Sequence, residues 1–155
     1  DPDIIMVGEV RDEETATIAM QAAMTGHLVL TTLHTNNAAG AIPRLLDMGV
    51  KPYLLGGSIN LIIAQRLVRR IHKKCGGKGC LECNNTGYKG RVAIAELLVP
   101  NQKIEQLILK NGTLAEFEQA AIDSGMMTMY EDGMDKVAQG ITTKEEVLRV
   151  TQRGQ

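Results

Sequence analysis

The sequence predicts an α/β fold followed by a helical segment, and three observations support that prediction. Two short, unbroken apolar runs, residues 4–7 and 28–33, flank a stretch of helical character. A Gly-rich loop of 20 residues, which carries all three cysteines, lies between two further apolar runs. After Pro100, apolar residues recur at helical spacing. Short unbroken runs are typical of buried parallel strands, and helical spacing is typical of amphipathic helices.

The beginning of the chain predicts a βαβ unit. Residues 4–7 and 28–33 are each expected to form a strand that is buried on both faces. Between them a helix is expected from Asp12 to Met24, with Asp12 as its N-cap and Gly26 as its stop signal. Because a helix of this length allows the chain to cross back over the sheet, the two strands should be parallel.

Two further helices and two further strands are expected before residue 100. They are a helix from Asn36 or Asn37 to Met48, a helix from Pro52 to about Gln65, and strands at residues 67–71 and 92–99. Pro43 lies inside the first of these helices, which either kinks there or begins its regular part there. Four helices are then expected after Pro100, and Thr143 with Glu146 fits a capping box at the start of the last one.

The composition is that of an ordinary globular protein. The 155 residues carry 17 basic and 18 acidic side chains, and 44% are hydrophobic, which excludes a disordered tail or a fibre. No apolar run reaches the ~18 residues of a membrane span, and the opening Asp1-Pro2-Asp3 is unlike a signal peptide. The odd number of cysteines, three, predicts a reducing compartment and no disulfide framework.

The near-neutral net charge conceals a strongly basic segment. Residues 66–91 hold eight basic side chains and one acidic side chain, Glu82, whereas the rest of the chain holds nine basic and 17 acidic ones. This basic segment, with a net charge of +7, also contains the three cysteines and many glycines. The coincidence favours a distinct substructure over a merely solvated face.

Titratable side chains follow both strands of the predicted βαβ unit. Glu9 comes shortly after the first strand, and His34 directly follows the second. Since the carboxyl ends of parallel strands meet at one edge of a sheet, we expect the two side chains to lie at the same edge. A carboxylate there can orient a water molecule or hold Mg²⁺ through water, and a histidine can donate a hydrogen bond to a terminal phosphate. Either residue alone also fits a structural role, but together they favour a phosphate-hydrolysing site.

Five motifs, in order, resemble those of the ATPases of type II secretion and type IV pili. Residues 1–12 resemble the Walker B region of this family, and residues 25–36 resemble its histidine box. The match continues through Asp47-Met48-Gly49, Ala64-Gln65-Arg66-Leu67 and Gly87-Tyr88-Lys89-Gly90-Arg91, and it covers essentially the whole chain. The assembly and export branch of the family carries a cysteine motif that the retraction branch lacks, so the resemblance places this chain in the assembly and export branch.

The resemblance implies the C-terminal part of a RecA-like P-loop ATPase domain, with a metal-knuckle hairpin and a C-terminal helical subdomain. It further implies a homo-hexameric ring on the cytoplasmic side of the bacterial inner membrane. Such a ring would use ATP and Mg²⁺ to drive pilus assembly or protein secretion, and would contact an inner-membrane platform protein. Glu9 would activate the attacking water and His34 would sense the γ-phosphate, while His27 and Arg11 would assist in nucleotide sensing.

The phosphate-binding loop of such ATPases does not occur in the sequence. There is no G-x-x-x-x-G-K-[ST] motif, and the family places that motif upstream of Walker B. We therefore expect the chain to be a C-terminal fragment that does not hydrolyse ATP by itself. The expected division is residues 1–71 with 88–99 for the ATPase domain, 72–87 for a zinc knuckle and 100–155 for the helical subdomain.

The cysteines have the spacing of a metal knuckle. The pattern is His72-x2-Cys75-x4-Cys80-x2-Cys83, and two x2 pairs let four side chains bind one tetrahedral ion. The family usually has four cysteines here, so the resemblance puts His72 in the place of the first one. We expect a structural Zn²⁺ site, since protein ligands would fill all four positions. The alternative is a degenerate knuckle that has lost its metal.

Two other functions remain open for the basic segment. A zinc-knuckle nucleic-acid module would use the positive charge, but aromatic residues make up only 3% of the chain and the rest of it is acidic. Base stacking and phosphate contacts would therefore both be poor, and we expect no nucleic-acid partner. A docking surface for an acidic partner or an anionic membrane is compatible with a motor, which must transmit force to the platform protein.

Overall fold

The computed structural model describes residues 2–152, within which the chain forms four strands and seven helices. In chain order they are β1 (Ile4–Val7), α1 (Glu13–Met24), β2 (Leu28–Thr31), α2 (Ala41–Asp47), α3 (Pro52–Ser58), β3 (Ile62–Ile71), β4 (Tyr88–Leu98), α4 (Gln102–Leu109), α5 (Leu114–Asp123), α6 (Met129–Ala138) and α7 (Lys144–Thr151). A short 3-10 turn, Leu81–Cys83, lies in the loop between β3 and β4. Asp1 of the predicted Walker B region and residues 153–155 of the predicted helical subdomain lie outside the described residues. None of the described helices has the length and apolar character that crossing a bilayer requires.

The predicted βαβ unit is confirmed. β1 and β2 pair in parallel, and Val7 lies opposite Thr31 at their carboxyl ends. The side chain of Asp12 caps α1, because its Oδ1 accepts a hydrogen bond of 2.8 Å from the backbone N–H of Thr15. The register therefore places the residues that follow β1 and β2 at one edge of this sheet.

The prediction that both strands are buried on both faces is wrong. Alternate side chains of β1 and β2 face outward, and Met6 is 75% exposed. The four exposed apolar side chains are Ile4, Met6, Leu28 and Leu30. Within the described residues this sheet has only two strands. An apolar run indicates which side chains could be buried, but it does not indicate which element covers them.

The predicted long helix after Pro52 is also wrong. α3 ends at Ser58, and the chain enters β3 at Ile62. Gly56 and Gly57 have low helix propensity, and the residues after them are rich in β-branched isoleucine, which favours a strand. The apolar run therefore contains two elements, and its helical part is half as long as predicted.

Helix α2 begins later than predicted. Its first residue is Ala41 and its N-cap is Gly40, so Pro43 lies in the first turn, where its missing N–H has no intrahelical acceptor to lose. Neither Asn36 nor Asn37 is the N-cap. Asn37 instead stabilises the turn before the helix, because its Oδ1 accepts a hydrogen bond of 2.8 Å from the N–H of Gly40.

The chain packs into two compact units. Among the described residues, the first contains residues 2–63 together with Leu97–Met126, and the second contains Ala64–Glu96 together with residues 127–152. The four helices expected after Pro100 are present, with α4 and α5 in the first unit and α6 and α7 in the second. The predicted division into an ATPase domain, a zinc knuckle and a helical subdomain stays a prediction. The two units are defined by compact packing, whereas the predicted segments were defined by motifs along the sequence.

In the first unit the helices pack in a series that begins with α1. α1 packs against β2 and α3, α3 packs against α4, and α4 packs against α5. The large buried apolar side chains of this unit include Met20, Ile42, Leu45, Leu54, Leu55, Leu98, Ile104, Ile108 and Phe117. Burial of one such side chain stabilises a fold by about 1.5–3 kcal/mol. This packing holds β1 and β2, and hence the edge where Glu9 and His34 follow them.

In the second unit a small core is formed by β3, β4, α6 and α7. Its buried members are Val68, Ile94, Met129 and Val147. Gly133 lies inside α6, where a Cβ atom would come within 2.6 Å of Val147 Cγ1. A glycine inside a helix costs about 1 kcal/mol relative to alanine. Here it allows α6 and α7 to approach each other closely.

Glu146, at the start of α7, is a buried charge of the second unit. Its carboxylate accepts hydrogen bonds from the backbone N–H of Arg69 at 2.7 Å and from the guanidinium groups of Arg69 at 2.9 Å and Arg149 at 3.0 Å. Only half of the predicted capping box forms: Thr143 Oγ1 accepts from the Glu146 N–H, but the Glu146 carboxylate binds the two arginines. Burial raises the pKa of Glu146, but the hydrogen bonds from Arg149 and Arg69 outweigh burial and lower that pKa to about 2.

Glu146 should make the stability of the second unit depend on pH. A carboxyl whose pKa falls from 4.5 in the unfolded chain to about 2 in the fold contributes its full stabilisation above about pH 4.5. This contribution, about 3 kcal/mol, is lost as the pH falls from about 4.5 to about 2. Glu146→Gln is therefore expected to lower the free energy of unfolding at pH 7 by about 2–3 kcal/mol and to flatten its acid dependence. Urea denaturation at several pH values measures the free energy of unfolding and its acid dependence. The control is Glu145→Gln, a substitution of the exposed neighbouring residue. An equal loss of unfolding free energy in the two variants would contradict the prediction.

Candidate active site and metal centre

The first candidate site lies at the carboxyl edge of the β1–β2 sheet. Glu9 follows β1 and His34 follows β2, and the structure brings them into contact, with His34 Nε2 2.6 Å from Glu9 Oε1. Arg11 Nε donates a hydrogen bond of 2.7 Å to the other carboxylate oxygen, Oε2. These three side chains are called the catalytic edge below.

Two hydrogen bonds connect the two loops of the catalytic edge. The N–H of Val10 donates to the carbonyl of Thr32 at 3.0 Å, and Thr32 Oγ1 donates to the carbonyl of Gly8 at 2.6 Å. Val10 is almost completely buried, so this connection is anchored in the packing of the first unit. Thr32 therefore positions the loop that carries Glu9. The polar residues at the end of the second apolar run were the sequence signal for this role.

The surroundings of Glu9 favour its ionised form. The hydrogen bond from Arg11 lowers the pKa of Glu9; burial opposes this effect, and the charge of Arg11 and the contact with His34 reinforce it. The Glu9 side chain is 22% exposed, whereas those of His34 and Arg11 are 89% and 79% exposed. A fixed carboxylate beside two exposed donors can bind a water molecule or a hydrated Mg²⁺ while the donors reach a phosphate.

His27 lies away from the catalytic edge. It precedes β2 and is therefore at the amino edge of the sheet, whereas Glu9 is at the carboxyl edge. Its Nδ1 is 3.1 Å from the carbonyl of Ala22 and 3.2 Å from Thr25 Oγ1, at the end of α1. The fold of the first unit thus brings together three of the four residues predicted to handle nucleotide.

The second candidate site is a cluster of four side chains in the loop between β3 and β4. Its members, called the metal cluster below, are His72, Cys75, Cys80 and Cys83. Their ligand atoms all lie within 4.8 Å of one another. His72 and Cys83 are buried, and Cys75 and Cys80 are half-buried free thiols. All four residues that the spacing singled out are therefore brought together.

The loop folds back tightly to form the metal cluster. Asn84 and Asn85 both adopt the left-handed backbone conformation, with φ of 53° and 59°, directly after the 3-10 turn. Gly87, with φ of 78°, passes so close to the backbone of Gly77 that any Cβ atom would overlap it. The N–H of His72 donates to the Gly87 carbonyl at 2.9 Å and so connects the start of the loop to its end.

Backbone N–H groups point at the sulfur atoms. Cys83 Sγ accepts hydrogen bonds from the N–H groups of Cys80 at 3.2 Å and Gly87 at 3.3 Å. Cys75 Sγ accepts one from Gly79 at 3.3 Å. Burial raises the pKa of Cys83, but the N–H donors outweigh burial and lower that pKa to about 6. At Cys80 the N–H of Cys83 lowers the pKa, but burial and the adjacent thiols raise it overall.

The spacing of the donor atoms fits one zinc ion. Two sulfurs on a tetrahedral Zn²⁺ are roughly 3.8 Å apart, and a sulfur and a nitrogen are roughly 3.5 Å apart. In the metal cluster the Sγ atom of Cys83 lies 3.7 Å from that of Cys80 and 4.0 Å from that of Cys75. His72 Nδ1 lies 3.3 Å from Cys80 Sγ and 3.6 Å from Cys75 Sγ. The donor set and these four distances are thus compatible with Zn²⁺.

One side chain beside the metal cluster received no role from the sequence. Glu82 Oε2 lies 3.7 Å from His72 Nε2 and 4.0 Å from Lys89 Nζ. The other oxygen, Oε1, accepts a hydrogen bond from Lys74 Nζ. Glu82 is the single acidic residue of the basic segment, and this isolation was the available sequence signal.

Comparisons with known proteins find similarity along almost the whole chain. A family model described as type II/IV secretion system protein matches residues 1–149. The type II secretion system protein HxcR of Pseudomonas aeruginosa is 52% identical over 97% of this chain. The type IV pilus assembly ATPase PilB of Thermus thermophilus is 46% identical, also over 97% of this chain. The pilus retraction motor PilT, solved with bound ADP, matches 97% of this chain with a TM-score of 0.75 and 35% identity.

The chain spans a minor part of each of these proteins. It covers 34% of the length of HxcR, 20% of PilB and 40% of the PilT chain. The α/β fold expected from the sequence is confirmed by the match to PilT, which extends over almost the whole chain.

Proposed function

Because this chain belongs to the type II/IV secretion system protein family, we propose that it is the C-terminal part of a hexameric motor ATPase that drives type II secretion or type IV pilus assembly. The observation that carries the proposal is the contact between Glu9 and His34 at the carboxyl edge of a parallel sheet. Hydrolysis of ATP needs a group that activates water beside a group that meets the terminal phosphate, and this pair has the chemistry for both. A relative named as a pilus assembly ATPase supports the same conclusion.

In this proposal Glu9 orients the attacking water and supports a hydrated Mg²⁺, and His34 contacts the γ-phosphate of ATP. Arg11 and His34 each engage one oxygen of Glu9, and each oxygen keeps a second lone pair for a hydrogen bond from water. We assign the contact with phosphate to His34, because its highly exposed ring can turn toward a phosphate. The nucleotide-sensing roles of Arg11 and His27 stay predictions.

For the metal cluster we propose a structural Zn²⁺, held by Nδ1 of His72 and the three thiolates. Since protein atoms fill all four ligand positions, the ion would hold the loop together and would take no part in the reaction. Three thiolates and one imidazole around Zn²⁺ carry a net charge of −1, which the lysines of the basic segment offset. The backbone N–H groups aimed at Cys83 and Cys75 support this assignment, because they favour the thiolate form that binds metal.

The wider setting follows from the same family membership. We propose a homo-hexamer that works on the cytoplasmic side of the bacterial inner membrane. Contact with an inner-membrane platform protein stays a prediction, and the basic segment is the candidate surface for it. Residues 1–71 with 88–99 would carry the ATPase domain, 72–87 the knuckle and 100–155 the helical subdomain.

Phosphate release by the 155-residue chain and by the complete motor tests the proposed function. The chain has no G-x-x-x-x-G-K-[ST] motif, so we expect it to show no turnover above background by itself. The complete motor should hydrolyse ATP when Mg²⁺ is present. Robust turnover by the 155-residue chain would contradict the proposal, and so would an inactive complete motor that still binds ATP.

A further inference from the structure

As a metal ligand, histidine differs from cysteine in having two ring nitrogens. Nδ1 of His72 faces the sulfurs of Cys80 and Cys75, at 3.3 Å and 3.6 Å, so Nε2 is directed away from them. A neutral imidazole carries its proton on only one nitrogen, and metal binding through Nδ1 requires that proton on Nε2. The group that meets Nε2 therefore determines whether the ring is held in the metal-binding form.

Glu82 is the group that meets Nε2. Its Oε2 lies 3.7 Å from that nitrogen, which is slightly longer than a hydrogen bond. Lys74 binds the other oxygen, Oε1, and Lys89 Nζ lies 4.0 Å from Oε2. The lysines thus hold a carboxylate beside a ring whose side chain is only 8% exposed.

We propose that Glu82 is a positioning residue for the metal cluster: its carboxylate accepts a hydrogen bond from the Nε2–H group of His72 and so keeps Nδ1 directed at the metal. This inference rests on the proposed zinc site. A metal at Nδ1 withdraws electron density from the ring, which makes the Nε2–H group a stronger donor and favours a shorter contact with Glu82. Carboxylate–histidine–metal arrangements of this kind fix the ring and raise its basicity. The 3-10 turn at residues 81–83 then supplies both a ligand, Cys83, and the support of another ligand.

A simpler role for Glu82 would be to attract a cation through space. The basic segment has eight basic side chains, so one carboxylate among them affects the local potential. That effect does not depend on which side chain supplies the fourth ligand. The proposed role does depend on it, because a thiolate introduced by His72→Cys has no second atom for a carboxylate to orient. The two roles therefore separate when residue 72 is changed.

The test is a double-substitution cycle on zinc affinity, measured in the full-length protein by competition with a chromophoric chelator. With His72 present, Glu82→Ala should weaken zinc binding about 10-fold. In the His72→Cys background, the same substitution should weaken it less than about 2-fold. Glu145→Ala removes an exposed carboxylate from α7 in the same compact unit, and it should leave the affinity unchanged in both backgrounds. Circular dichroism of each variant identifies any that fails to fold.

Nitrogen-15 NMR of the labelled imidazole gives a second measurement, which a merely structural role would not change. The zinc-loaded parent should show metal on Nδ1 and a proton on Nε2, and Glu82→Ala should reduce this form in favour of ligation through Nε2. Equal losses of affinity in the two backgrounds would overturn the proposal, as would ligation through Nε2 in the parent or an unchanged affinity in Glu82→Ala. A parent protein that binds no zinc would overturn the zinc site together with the role of Glu82, whereas the other failures leave the zinc site in place.

Discussion

Replacement of Glu9 by glutamine is expected to lower ATP turnover by the complete motor at least about 100-fold. Glutamine keeps the size of the side chain and can still accept the hydrogen bond that Arg11 Nε donates at 2.7 Å. It cannot accept a proton from water, and it cannot supply the negative charge that a hydrated Mg²⁺ needs. ADP binding should change less than about 2-fold, because the substitution removes a group used in the chemical step. Steady-state phosphate release and equilibrium ADP binding are the two measurements.

The matched control for this variant is Glu14→Gln. Glu14 is an exposed carboxylate in the first turn of α1, close in sequence to Glu9 but not part of the catalytic edge. It should keep full turnover. His34→Ala should also lower turnover, since it removes the second member of the pair. A Glu9→Gln motor that keeps more than about half of the parental rate would exclude Glu9 from its proposed role.

Replacement of Cys83 by serine is expected to remove the metal from the knuckle. Cys83 is 5% exposed, and its Sγ accepts N–H hydrogen bonds from Cys80 and Gly87, so the loop is built around this sulfur. A serine hydroxyl does not form the anion that a zinc ligand requires near neutral pH. Zinc should fall from about one equivalent per chain to less than about a tenth. Elemental analysis of protein purified without chelator measures this change.

The control for the loss of metal is Lys78→Ala, an exposed position in the same loop that supplies no ligand. This variant should keep its zinc. Without the ion, the loop between β3 and β4 should be cleaved faster by trypsin, because its lysines are then no longer held in one conformation. A parent protein that retains less than about a tenth of an equivalent of zinc would show that the knuckle has lost its metal.

Much of the catalytic edge could be predicted from the sequence, because parallel strands have their carboxyl ends at the same edge of a sheet. Once two apolar runs are connected by a helix, the residues that follow them must share an edge, and Glu9 and His34 do so. The same reasoning explains why His27 lies elsewhere, since it precedes its strand rather than following it. The histidine-box resemblance gave His34 the main role and His27 an assisting one, and their positions relative to β2 separate them in space.

The boundaries and the burial of elements were harder to predict, because they depend on neighbours in space. The apolar run after Pro52 satisfied a helical pattern, yet two glycines and several isoleucines divided it between α3 and β3. Met6 has the character of a core residue, and it is exposed because the described sheet has two strands.

The sequence by itself determined the features that short-range chemistry controls: the N-cap at Asp12, the parallel βαβ unit, and a metal-ligand spacing whose four members lie within 4.8 Å of one another. Only the tertiary structure decided the features that join distant residues. Glu146 binds Arg69, 77 residues away in the chain, in place of completing its own helix cap. Glu82 meets the outer nitrogen of His72 because the loop folds back on itself. A charged side chain such as that of Glu146 or Glu82 has several possible partners nearby in the sequence. The burial and hydrogen bonds of the complete fold select among them.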